Sequence, residues 1–118
     1  MFQEIMIAIQ FEVNIYNQNR DLIKHCQSKG LVVAVYAPLG AYNRLGKSWR
    51  SRCTWRWGCF TFLGKKYNRT PAQIAIKFVL QQDIVVVVKS TTSSRLEENL
   101  KVNYFNLVLN YNFNCYFK

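Results

Sequence analysis

The sequence predicts an α/β fold with parallel strands, and three observations carry that prediction. Two nearly uninterrupted apolar runs, LVVAVYAPLG at 31–40 and DIVVVVKS at 83–90, have strand composition without polar alternation, the pattern of strands covered on both faces. Segments of helical period precede and follow them, giving the order strand, helix, strand, loop, helix, strand, helix. Such alternation implies parallel pairing through helical crossovers. The third observation is length: 118 residues hold only three such strands, which leaves two open edges and a sheet short of cover. A closed eight-stranded barrel of this kind needs about 200 residues or more. The chain therefore reads as a piece of a larger α/β architecture.

The elements follow in order. IMIAIQFEV, 5–13, reads as a short strand, and NRDLIKHCQSKG as a helix whose Leu22, Ile23 and Cys26 share one face. Lys29 falls in its last turn, and Gly30 is placed for a left-handed C-terminal cap. The strand at 31–40 begins at once, and Pro38 and Gly40 end it. Residues 41–60 read as irregular. TPAQ then opens a helix with Thr70 at the N-cap, Pro71 at the first helical position and Gln73 at the third, which is a capping box. Ile74, Ala75, Phe78 and Val79 form its apolar stripe, and it ends near Gln82. After the strand at 83–90, SSRLEENL reads as a third helix with Leu96 and Leu100 on one face and Thr92, Ser93 or Ser94 as its N-cap.

Composition sets limits on function. Half of the residues are apolar and 15% are aromatic, so the chain is not compositionally disordered. Sixteen Lys and Arg against six Asp and Glu give a formal charge of +10, which favours anionic partners without specifying a fold. Cys26, Cys53, Cys59 and Cys115 match no zinc spacing, and His25 is the only histidine, so no metal site is expected. MFQEIMIAIQFEV lacks the basic start of a secretory leader, and no apolar run approaches the roughly 18–20 residues that span a bilayer. The expectation is a cytoplasmic protein with reduced thiols and no membrane partner. Glu97 and Glu98 are neighbours in sequence and point in different directions on a helix, so they are not a paired acid and base.

The stretch KSTTSSRLEEN, 89–99, carries the strongest chemical signal. It sets Lys89, Ser90 and Arg95 where a strand hands over to a helix. A helix N-terminus offers unpaired N–H groups and a positive dipole end to an anion, and a guanidinium binds phosphate through paired donors. The same residues also fit an ordinary capped helix with a solvated charged face.

At this point the residues resemble the aldo-keto reductase family. NQNRDLIKHCQSKGLVVAVYAPLG is similar to the helix after the sixth strand and the seventh strand of that family. KKYNRTPAQIAIKFVLQQDIVVVVKSTTSSRLEENLKV is similar to its seventh helix, eighth strand and following helix. The resemblance implies a partial (β/α)8 barrel, the C-terminal portion covering strands six to eight, with 1–118 as one partial domain. It implies NADPH as cofactor and a small carbonyl compound as substrate of the parent enzyme. It also implies roles: Gln10 at the nicotinamide amide, Tyr36 stacked on the nicotinamide ring, and Leu39 along the pyrophosphate path. Lys89 and Ser90 would meet the 2′-phosphate region, with Lys89 reaching towards the pyrophosphate. Arg95 would pair with the 2′-phosphate and cover the adenine, and Glu98 and Asn99 would bond its amino edge.

The chain departs from that family in three places. Its catalytic Asp, Tyr, Lys and His stand on the first four strands, which have no counterpart here, so the chain alone is expected to be inactive. Ala37 and Ala41 stand where small hydroxyl residues are usual. RLGKSWRSRCTWRWGCFTF, 44–62, has five Lys and Arg, three Trp and no acid, and with the Asn- and aromatic-rich tail 108–118 it forms an atypical segment. Two other readings compete: a non-catalytic interaction module that associates through open sheet edges, and nucleic-acid or membrane association through residues 44–57.

Overall fold

The computed structural model describes residues 7–40 and 54–108. Three strands, β1 (Ala8–Glu12), β2 (Val32–Tyr36) and β3 (Val85–Val87), form one parallel sheet in the order β1-β2-β3. Helix α1 (Arg20–Ser28) joins β1 to β2. Helices α2 (Thr54–Tyr67) and α3 (Pro71–Leu80) precede β3, and α4 (Ser93–Leu100) follows it, running into a 3-10 turn at Lys101–Tyr104. Gln10 pairs in register with Ala34 and Ala34 with Val85; Glu12 pairs with Tyr36 and Tyr36 with Val87. Successive residues of a strand face opposite sides, so these residues share one face of the sheet and Val33, Val35 and Val86 the other.

The second face holds the core. Val33 and Val35 pack with Ile23 and Cys26 of α1, Ile74, Ala75, Phe78 and Val79 of α3, and Phe60 of α2. Phe60 is fully buried and meets Phe78 edge to face, with centroids 6.3 Å apart, the geometry favoured by ring quadrupoles. The stripe expected for α3 is buried, and so are Gln73, Ile76 and Lys77 outside it, so the helix is enclosed on more than its sheet side.

Three expectations are corrected, and one is refined. Among the described residues the strands are covered on one face: Val85 and Val87 are 52% and 48% exposed, because the helices whose side chains join the core, α1, α2 and α3, pack against Val33 and Val35 on the other face. An all-apolar strand records the surroundings of a complete barrel, not those of this chain alone. Residues 54–60, expected to be irregular, begin α2. Its apolar residues are spread around the helix instead of forming a stripe, so periodicity could not reveal it. The refinement is that Leu96 and Leu100, expected on one face of α4, lie on a face that stays open, with Leu100 68% exposed. Lastly, the hydroxyls of α4 do not cap it: Thr92 is the N-cap, and its side chain makes no capping hydrogen bond. The remainder of the Trp- and Arg-rich stretch, up to residue 53, and the tail from residue 109 lie outside the described residues.

Helix ends follow local chemistry. Gly30, at φ 73°, ends α1: its N–H reaches the Gln27 carbonyl and the Leu31 N–H reaches that of Cys26, a Schellman cap. The α2 terminus repeats the motif with Asn68 at φ 51°. Asn68 N–H donates to Lys65 and Arg69 N–H to Gly64. A Cβ on Gly64 would lie 2.5 Å from the Arg69 carbonyl oxygen, so this turn requires glycine there. At α3 both arms of the capping box are formed: Gln73 N–H donates to Thr70 Oγ1 at 3.2 Å, and Thr70 N–H to Gln73 Oε1 at 3.1 Å.

Candidate functional site

The C-terminal ends of the strands carry the site. Val88, Lys89 and Ser90 continue directly from β3, and the turn after β2 brings in Leu39. Together with Ala72 at the start of α3 and Thr91, Arg95, Glu98 and Asn99 they line an open cleft of about 520 Å³. Six of the residues marked in the sequence meet here: Leu39, Lys89, Ser90, Arg95, Glu98 and Asn99. Gln10 and Tyr36 do not line this cleft. They stand on neighbouring strands on the uncovered sheet face, and Tyr36 is 39% exposed.

The cleft is electropositive at its β3 end. No carboxylate among the described residues forms an ion pair with Lys89 or Arg95; the ion pair described is Glu97–Lys101, at 2.7 Å. Glu97 is spent on that pair, and the Lys101 hydrogen bond, then its charge, hold the Glu97 carboxyl below its ordinary value. Ser90 Oγ accepts from Thr92 N–H at 3.2 Å and donates to the Thr92 carbonyl at 3.4 Å, which folds the loop back over the entry to α4. Since the Thr92 side chain makes no capping hydrogen bond, the first N–H groups of α4 are left without a side-chain cap, donors of the kind an anion uses. The donor set of one ammonium, one guanidinium and a helix N-terminus fits a phosphate ester.

Glu98 is held from α3. Thr70 Oγ1 donates to Glu98 Oε1, and Gln73 Nε2 donates to the Glu98 carbonyl at 2.9 Å. The side chain of Gln73 is therefore satisfied at both ends although it is 4% exposed. In the sequence TPAQ marked only a helix start; in the fold the same Thr70 and Gln73 seat α4 beside the cleft. Asn14 is a second residue missed by sequence reasoning. Its side chain is buried and accepts from Tyr16 N–H at 2.9 Å and Asn17 N–H at 3.1 Å. It donates to Glu12 Oε1 at 3.0 Å and the Ala37 carbonyl at 3.3 Å. It ties the loop after β1 to the turn after β2, where Ala37 holds φ 51°.

Parallel strands with the core-forming helices on one side and a cleft at the strand C-termini are the geometry of part of a (β/α) barrel. The sequence profile of the aldo/keto reductase family matches residues 5–112. The chain belongs to that family. It is 36% identical over 100 residues to aldo-keto reductase family 1 member A1 of Gallus gallus, covering 85% of this chain and 31% of the relative. It is 38% identical over 104 residues to family 1 member D1 of Mus musculus, with 86% and 31% covered. The aldose reductase structure from Schistosoma japonicum superposes with a TM-score of 0.73 at 34% identity, over 92% of this chain and 32% of that one. An aldo-keto reductase from a Medee basin deep-sea metagenome gives 0.73 at 26% identity, over 92% and 38%. The chain thus spans about a third of the length of these relatives. Among the described residues no group of three or more His, Cys, Asp or Glu could hold a metal ion, and no helix is long and apolar enough to cross a membrane.

Proposed function

We propose that this chain carries the adenosine-phosphate part of an NADPH site in a carbonyl-reducing aldo-keto reductase. The observation that carries the reading is the convergence of Lys89, Ser90, Arg95, Glu98 and Asn99 on one cleft at the open start of α4. Arg95 pairs with the 2′-phosphate through its guanidinium and lies against the adenine, and Lys89 supplies a point charge towards the pyrophosphate. Ser90 and the leading N–H groups of α4 complete the phosphate contacts. The free Oε2 of Glu98 and the Asn99 amide meet the adenine amino edge, while Thr70 keeps Glu98 turned to the cleft. Leu39 flanks the pyrophosphate path; Gln10 and Tyr36, on the open sheet face, serve the nicotinamide end. When bound, the nicotinamide supplies the hydride. The proton for the new alcohol comes from a Tyr supported by Asp, Lys and His in this family, and no residue here matches those positions. Reduction of aldehydes and ketones is therefore proposed for the complete enzyme, not for the 118 residues alone.

A titration of the purified chain with adenosine 2′,5′-bisphosphate, followed by calorimetry and thermal shift, tests the reading. The wild-type chain binds it in preference to 5′-AMP, and Arg95→Ala loses at least tenfold in affinity, about 1.4 kcal/mol or more. The chain with NADPH and 4-nitrobenzaldehyde shows no turnover. Absence of any nucleotide response would favour the second reading, a non-catalytic interaction module, which draws on the uncovered sheet face.

A further inference from the structure

The turn that leaves β2 is held in a conformation its own residues resist. Ala37 has φ 51°, a left-handed value uncommon outside glycine, and the proline that follows restricts it further. The turn closes on Gly40 N–H, which donates to the Ala37 carbonyl at 2.9 Å. A second donor to that carbonyl comes from the loop after β1: Asn14 Nδ2, at 3.3 Å. Asn14 is 2% exposed, and its Nδ2 also donates to Glu12 Oε1 at 3.0 Å. Glu12 stands in register with Tyr36, so both acceptors of Nδ2 belong to the ends of β1 and β2. Asn14 Oδ1 accepts from the Tyr16 and Asn17 N–H groups, which fixes the plane of the amide.

A strained backbone persists only where its surroundings hold it. On one side of Ala37 is Tyr36, on the open sheet face; two residues beyond it is Leu39, in the cleft wall. We infer that Asn14 is a positioning residue for the cofactor. Through Ala37 it sets Tyr36 and Leu39 relative to each other, so that one dinucleotide can run from the cleft at α4 to the open sheet face. Asn14 acts through the turn and not through contact with the ligand. The inference rests on the NADPH reading above and concerns the part of the ligand beyond the adenosine phosphates. Lys89, Ser90 and Arg95 belong to the segment after β3, to which Asn14 makes no hydrogen bond.

The test compares NADPH with adenosine 2′,5′-bisphosphate on the purified 118-residue chain by calorimetry, and so reads the increment added by pyrophosphate and nicotinamide. The wild type is expected to bind NADPH about tenfold more tightly than the bisphosphate. Asn14→Asp keeps the acceptor for Tyr16 and Asn17 and removes both donors. It loses the increment, with bisphosphate affinity unchanged. Glu12→Gln retains an acceptor oxygen for Asn14 and retains the increment. A purely structural role for Asn14 would lower both affinities together, and that result, or an unchanged increment in Asn14→Asp, would overturn the inference. If the bisphosphate binds and NADPH binds no better, the inference falls and the adenosine-phosphate reading stands; if neither binds, both fall. Should Asn14→Asp fail to fold, the wild-type side-chain amide of Asn14 decides by NMR. NADPH shifts its Nδ2 proton resonances and the bisphosphate does not; equal responses overturn the inference.

Discussion

Thr70 shows how one side chain serves two elements. Its hydroxyl oxygen accepts from Gln73 N–H and its hydroxyl hydrogen goes to Glu98. Thr70→Val keeps the shape and removes both bonds. It is expected to lower unfolding stability by about 1–2 kcal/mol, the cost of a lost N-cap, measured as a lower urea midpoint. The same variant weakens adenosine 2′,5′-bisphosphate binding, because Glu98 is no longer held beside the cleft; Thr70→Ser retains both properties. Asn14 plays a comparable part, joining two loops through four hydrogen bonds. Three of those bonds go to Glu12, Tyr16 and Asn17 close by in sequence, and the bond to Ala37, 23 positions away, is the one that joins the second loop and that no local pattern marks. The cleft residues were more legible: Lys89, Ser90, Arg95, Glu98 and Asn99 lie in one short stretch, and helix geometry alone brings Arg95, Glu98 and Asn99 onto one side.

Among the elements, α3 is the organiser. One side of it meets the sheet through Ile74, Phe78 and Val79, and its N-terminus seats α4. Ile74→Ala removes a fully buried side chain and is expected to cost about 2–5 kcal/mol, whereas Leu100→Ala on the open side of α4 stays within about 0.5 kcal/mol of wild type. Denaturant unfolding of both variants reads that contrast directly. A strong stripe, proline at the first position and a complete capping box made α3 readable from sequence. Helix α2 had none of these. It is held by Phe60 against Phe78 and by the tight turn at Gly64, contacts that exist only once α3 is in place.

At the scale of the molecule the sheet is covered on one side and open on the other. Val32, Tyr36, Val85 and Val87 are each exposed by more than a third. In a closed barrel, side chains from the other strands fill that space. The isolated chain is expected to bind a hydrophobic dye such as anilinonaphthalene sulfonate and to sediment as concentration-dependent aggregates. Val85→Lys, which places a charge on the open face, reduces dye binding while leaving the helical circular dichroism unchanged. Equal dye binding in wild type and variant would show that the dye senses another surface.

The sequence by itself determined the order of the three strands and of α1, α3 and α4, the parallel pairing, the glycine cap of α1 and the start of α3, and the stretch 89–99 that lines the cleft. Each depends on chemistry within a few positions: a cap, a stripe, a run of β-branched side chains. Only the tertiary structure decided which face of each strand is buried, that residues 54–67 form a helix, and that Glu98 is held from α3. Those outcomes depend on groups distant in sequence sharing one small volume, and the local pattern of residues carries no record of that meeting.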